Sequence, residues 1–151
     1  MARTAASLDA WVCFLRAHAA ITRELSSELE REHGLTINDY EVLLHLSQAE
    51  GRMMRRVDLA ESVILTASGI TRLLEGLERA GLVCKVRCES DGRVSYACLT
   101  DEGARKLDRA RRTHLAGVER LYLGHFGEDE RRVLAELLGR LPGNAADVDC
   151  T

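Results

Sequence analysis

Between residues 66 and 100 an amphipathic stretch passes without a linker into two short β-type runs, an order that few folds accommodate. Ile70, Leu73, Leu74 and Leu77 recur at the i, i+3, i+4, i+7 spacing of one helical face, which leaves Ser68, Thr71, Arg72, Glu75 and Arg79 on the other. Gly81 supplies the left-handed residue that commonly ends a helix, and Leu82 follows to pack back on the last turn. Residues 82–88 and 94–99 are β-branched, Cys and aromatic runs around Glu89-Ser90-Asp91-Gly92-Arg93, a turn-forming loop. They predict a hairpin whose tip carries Asp91 and Arg93.

Upstream, residues 55–63 form a short helical pattern in which Leu59 and Val63 share a face. Ile64-Leu65-Thr66 then gives a tight connection, with Thr66 placed as N-cap of the next helix. Two helices joined this closely make a helix-turn-helix, and the following hairpin makes it a winged one. In that geometry the second helix enters the major groove by its N-terminal end, so Thr66, Ser68, Gly69, Thr71 and Arg72 are candidates for base edges or phosphates. Arg72 is the first candidate for a base, since a bidentate Arg–guanine contact gives roughly 1–3 kcal/mol of discrimination. An Arg on a thin ribbon suits a minor groove too narrow for a helix, which assigns that role to Arg93. Arg55, Arg56, Arg87 and Asp91 complete the candidate interface. A leucine stripe alone describes any core helix; the ordered set carries the assignment.

A formal net charge of −3 runs against nucleic-acid binding, whose affinity comes largely from neutralised phosphates. Residues 52–93, however, carry eight basic against six acidic side chains, a net of +2, so the acidic excess lies in the termini. Composition favours helix: there is one Pro, and aromatics are 4%. The 151 residues suit one domain or a domain with helical extensions. No run approaches a membrane span and no signal-peptide layout opens the chain, so a soluble cytoplasmic protein is expected. The five Cys are expected to be reduced thiols without a zinc spacing, and the five His form no His-Glu-x-x-His arrangement. No metal or cofactor is expected. Nor is an enzyme, because no phosphate loop, nucleophile elbow or catalytic constellation is present.

The fold class predicted is mainly α with a small β-hairpin wing: a winged helix-turn-helix core over 35–103, flanked by dimerisation helices over 1–34 and 104–142, with a flexible tail over 143–151. The first helix, over 8–31, has Leu8, Trp11, Val12, Leu15, Leu25 and Leu29 at near-helical spacing. Thr36 caps a second helix that buries Val42, Leu43 and Leu46. Thr100 caps a long helix opening on Asp101-Glu102, with Leu107, Leu115, Val118, Leu121 and Tyr122 on its buried side. A last helix, opening after Gly127 on Glu128-Asp129-Glu130 and carrying Val133, Leu134, Leu137, Leu138 and Leu141, halts at Pro142. The end helices hold more apolar surface than a small winged helix covers, which predicts a twofold dimer on a roughly palindromic duplex site.

This ordering resembles the MarR family of multiple-antibiotic-resistance regulators. The resemblance rests on Leu35-Thr36, on Leu74-x-x-Leu77-Glu78-x-x-Gly81-Leu82 and on Asp91-x-Arg93-x-x-x-x-x-Leu99-Thr100-x-x-Gly103. It covers residues 8–141 and implies a homodimeric regulator of transcription, read as a repressor released by a small phenolic ligand or by thiol oxidation. It further implies that Arg93 enters the minor groove and that Asp91 fixes the wing. Cys13, with Leu8, Phe14-Leu15 and Thr22-Arg23-Glu24, is similar to the first helix of organic-hydroperoxide regulators, in which two Tyr hold a reactive Cys. Tyr40 matches one; the other position falls near Ser27 or Leu25. A Cys on the apolar side of a helix is more often an inert core residue, because apolar surroundings disfavour the thiolate.

Two further readings stand beside these. If the hairpin turns around Asp91, Cys84 and Cys98 fall opposite each other, where oxidation would distort the wing, although a cross-strand disulfide demands strained geometry. A ligand pocket between the end helices and the winged helix has Trp11, Arg16, His18 and His45 as candidate lining. The alternative of another class is a winged helix used for protein contact alone, which does not need Arg72 and Arg93 on one ligand.

Overall fold

A computed structural model describes residues 2–63 and 67–143, with side chains over 8–63 and 68–143. It resolves into two compact units, Met1–Leu115 and Ala116–Thr151. Predicted features at Ile64, Leu65, Thr66 and 144–151 lie outside the described residues, including the N-cap at Thr66 and nearly all of the tail.

In the first unit α1 (Ala2–His33) leads to α2 (Ile37–Gln48). Thr36 starts α2 through a reciprocal cap: the Asp39 N–H donates to Thr36 Oγ1 at 3.1 Å, and the Thr36 N–H to Asp39 Oδ2 at 2.8 Å. A 3-10 turn (Glu50–Arg52) precedes a strand that the sequence reading did not foresee, β1 (Met53–Arg55). The helix predicted from Arg55 accordingly begins one residue later, as α3 (Arg56–Ser62), followed by α4 (Ala67–Arg79). β2 (Val83–Arg87) and β3 (Ser95–Leu99) form the predicted hairpin, and β1 joins it in antiparallel order β1-β3-β2. The wing is therefore the end of a three-stranded sheet. The long helix α5 (Asp101–Leu121) starts in this unit and crosses into the second.

One apolar core holds the first unit together. Leu29, Leu43, Leu46, Leu59, Leu74 and Leu107 are fully enclosed, and the sheet adds Val83, Ala97 and Leu99 from one face. The α4 stripe behaves as read: Ile70, Leu74 and Leu77 are buried, and Leu73 packs partly buried against them. Gly81 ends α4 at φ +73°, where the Leu82 N–H reaches back to the Leu77 carbonyl at 3.0 Å and the Leu82 side chain is buried. Behind the hairpin, the Thr100 hydroxyl donates to the Gly81 carbonyl at 2.7 Å and accepts from the Gly103 N–H at 3.0 Å, capping α5.

Several predicted core positions are not core. Leu115 was assigned to the buried side of α5 and is 56% exposed; Leu8, Trp11, Val12 and Leu15 on α1 are exposed too, whereas Leu25 and Leu29 are buried. The reason is local: the core reaches only the C-terminal third of α1, so the rest of its stripe is left uncovered among the described residues.

In the second unit Arg131 closes the turn after α5, donating from Nε to the Leu123 and Phe126 carbonyls at 2.9 and 3.0 Å. Gly127 precedes α6 (Glu128–Leu138), and Glu130 accepts the Gly127 N–H at 2.8 Å. The helix stops at Gly139, short of the predicted end at Pro142. Val133, Leu137 and Leu141 are exposed.

Candidate nucleic-acid interface

With Ile70, Leu74 and Leu77 turned into the core, α4 presents Ser68, Thr71, Arg72, Glu75 and Arg79 outward, all exposed, with Gly69 partly exposed. Ser68, Gly69, Thr71 and Arg72 are among the positions expected to reach bases and phosphates; Thr66, the remaining one on this helix, lies outside the described residues.

The wing tip is shaped by Asp91. Its Oδ1 accepts the Arg93 N–H at 3.0 Å, its carbonyl accepts the Val94 N–H at 3.0 Å, and the Cys88 N–H closes the ribbon on the Val94 carbonyl at 3.1 Å. Asp91 thus orders the backbone from which Arg93 projects. Arg93 is exposed, as is Arg87, at the other end of the loop opposite Ser95.

Arg55 and Arg56 part company. Arg55 is held by Asp58 in a two-pronged ion pair, Nε to Oδ2 at 2.8 Å and Nη2 to Oδ1 at 3.0 Å. Its charge is largely matched before any phosphate arrives. Arg56 is half-buried, and its Nη2 has no hydrogen-bond partner among the described residues; neither does Ser95 Oγ. Both residues line a cavity of about 390 Å³ between α3, α4 and the wing, together with Arg55, Thr71, Lys85 and Arg93. Enclosed donors are seldom left unmatched, so a groove rimmed by Arg and Lys with an open guanidinium donor is suited to an anionic oxygen. Lys85 and Ser95 were missed as site residues, because only the strand register reveals which side of the ribbon they face.

The ligand-pocket candidates are placed differently from expectation. Trp11, Arg16 and His18 are exposed on α1, where the Trp11 ring stacks on Phe14 at 6.2 Å and Phe14 lies 6.3 Å from His18; His45 is half-buried on α2. A cavity of about 440 Å³ does lie between the end of α1, α4 and the start of α5. Its lining includes His33, Asp39, Gly76, Glu102, Lys106 and Arg109, none of them a predicted residue.

Cys13 is exposed on α1 rather than packed in a core. Tyr40 is buried, with its ring 4.5 Å from that of His114 and the Arg111 charge acting on its phenol, both on α5. Burial pushes the Tyr40 phenol above its ordinary value, with Arg111 opposing, and it pushes the His114 imidazole below its own. Cys84 and Cys98 face each other across the hairpin, as the turn at Asp91 requires. Cys88, near the wing tip, has its thiol lowered by hydrogen bonds from the Ser90 hydroxyl, 3.0 Å away, and from the loop backbone. Among the described residues no group of three or more His, Cys, Asp or Glu side chains is placed to hold a metal, and no helix is long and apolar enough to cross a membrane.

Known proteins share both sequence and fold with this chain. Residues 24–110 match the family model described as transcriptional regulator SarA/Rot. AbsC, a MarR family transcriptional regulator from Streptomyces coelicolor, is 33% identical with a TM-score of 0.80, over 87% of this chain and 88% of AbsC. A second MarR family regulator of that organism, solved in complex with DNA, is 27% identical with a TM-score of 0.84, over 89% of this chain and 84% of the relative. The HTH-type transcriptional regulator MhqR of Bacillus subtilis is 24% identical over 94% of this chain and 95% of its own length.

Proposed function

We propose that this chain, which belongs to the MarR family of transcriptional regulators, acts as a homodimeric repressor that grips a pseudo-palindromic duplex and is released by a small phenolic ligand. It is a regulator and not an enzyme. The observation that carries the DNA reading is the shared exposure of Ser68, Thr71 and Arg72 on α4 and of Arg93 on a wing whose tip Asp91 orders. α4 enters the major groove and Arg93 the adjoining minor groove, while Arg56 and Lys85 hold backbone phosphate. Arg55 adds less than its charge suggests, because Asp58 already matches it.

The dimer reading is supported by the exposed apolar side chains of α1 and α6, which a second copy would cover. The ligand reading is supported by the cavity between α3, α4 and the wing. At about 390 Å³ it falls in the size range of small-molecule sites, and Arg56 Nη2 and Ser95 Oγ offer donors to a carboxylate or phenolate. An anion seated there competes with phosphate for Arg56, and a coupling of about 1–3 kcal/mol suffices for release.

The test begins with selection of bound duplexes from a random pool, expected to return half-sites about one helical turn apart. On the selected site, Arg93→Ala should weaken binding and lower the magnitude of the salt slope by roughly 0.9 for each phosphate neutralisation lost. Unchanged affinity and salt dependence would remove the wing from the interface and favour a winged helix that contacts protein alone. Arg56→Gln should blunt release by phenolic acids more than it weakens DNA binding; equal release by parent and variant would move the ligand elsewhere.

A further inference from the structure

The strand register brings together sulphur atoms that the sequence keeps far apart. Cys98 on β3 is the direct partner of Cys84 on β2 and of Met53 on β1. Direct partners on adjacent strands project from the same face, and strands lie about 4.8 Å apart, so Met53, Cys98 and Cys84 form one row across the sheet. The neighbouring row, Met54, Ala97 and Lys85, belongs to the opposite face, where Ala97 is buried in the core. The sulphur row therefore lies on the outward face: Met53 is exposed and both Cys are partly exposed. The two thiols sit at one register position on neighbouring strands, and Glu78 of α4 adds negative charge near Cys84.

We propose that Cys84 and Cys98 bind one monovalent thiophilic ion of the Cu(I) or Ag(I) type as a dithiolate bridge between β2 and β3, with the Met53 thioether as an additional weak ligand. Two thiolates and a thioether are soft donors, the set that selects such ions over hard cations. A structural zinc site needs four ligands, and this row offers three sulphurs, one of them a neutral thioether. On binding, two S–H bonds break and two sulphur–metal bonds form. Two protons pass to solvent, and no electron is transferred. Because binding releases these protons, affinity must fall as pH falls. The site escapes a search for ligand spacing along the chain because 45 residues separate Met53 from Cys98 and each strand supplies a single donor.

The experiment titrates the full chain with Cu(I) under anaerobic reducing conditions, against a chromogenic Cu(I) chelator. A variant with Cys13, Cys88 and Cys150 all replaced by Ser should take up one ion per chain. Cys84→Ser or Cys98→Ser in that background should abolish competition with the chelator. Met53→Leu should weaken binding about tenfold, the lower end of what losing a supporting group costs a metal site, and Met54→Leu should leave it unchanged. In the unsubstituted protein, one equivalent of Cu(I) should shield Cys84 and Cys98 together from iodoacetamide, a readout that needs no variant to fold. Equal uptake without both wing thiols, or unshielded alkylation of Cys84 and Cys98, would overturn the proposal. So would a mass lower by two hydrogens with no metal retained, which would mean a disulfide instead.

Discussion

A methyl group added to Gly103 would overlap the Leu82 carbonyl oxygen and come within 2.7 Å of Leu99 Cδ1. The Leu82 carbonyl cannot retreat freely, since it also accepts the Thr100 N–H at 3.1 Å. This gives a physical reason for a glycine three residues after the threonine that follows the wing: α5 starts against the backbone entering β2. Gly103→Ala should destabilise the fold by about 1–3 kcal/mol in urea unfolding, the usual cost of overpacking. His114 makes a second prediction at this scale. Its Nδ1 is enclosed without a hydrogen-bond partner among the described residues, and it lies against the Tyr40 ring with Arg111 close by. Burial depresses its folded-state value below 6.5, so the unfolded chain binds the proton more readily. Its contribution to stability is complete above pH 6.5, and it declines as pH falls from there through the depressed value. Urea midpoints measured from neutral to mildly acid pH should show this decline, and His114→Gln should flatten it.

Elements whose signals are local were legible before any coordinates. Thr36 with Asp39, Gly81 with Leu82, and Thr100 all form the caps that their neighbours in sequence demand. The α4 stripe and the turn at Asp91 likewise depend on residues a few positions apart. What escaped depends on distant partners. β1 is three residues long and becomes a strand only because β3 pairs with it, so Met53 and Met54 carry no readable alternation. The groove around Arg56 was equally hidden, since Lys85 and Ser95 reach it through strand register rather than spacing. Leu115 was misplaced because helical periodicity gives a face without saying whether one chain covers it. One local element couples distant parts. The Thr100 hydroxyl joins the last turn of α4, through Gly81, to the first turn of α5. Thr100→Val keeps the shape and removes both bonds, and should cost about 1–2 kcal/mol in unfolding free energy. A change below about 0.5 kcal/mol would mean that water replaces the hydroxyl at no cost.

Over the whole molecule, the proposed pairing of two copies rests on apolar side chains left outside the core. Trp11 and Leu15 on α1 are 55% and 44% exposed, and Val133 and Leu137 on α6 are 48% and 46% exposed. Scattered exposed apolar residues need no explanation, but sets on two helices mark surfaces for association. In the proposed mode of binding, a single copy of α4 and its wing reads one half-site. Two copies held together convert the second contact into an intramolecular one, a gain of about 10²–10⁴ in affinity when the spacing fits. Leu15→Asp and Leu137→Asp, made separately because they lie in different units, should each shift sedimentation equilibrium toward monomer while leaving far-UV circular dichroism unchanged. Whichever variant dissociates should lose that gain on a palindromic duplex and keep parental affinity for an isolated half-site, since α4 and Arg93 are untouched. A dimer that survives both changes would place the association surface elsewhere. Equal loss on half-site and palindrome would mean instead that the substitution had damaged the reading head, and that oligomeric state does not set the affinity.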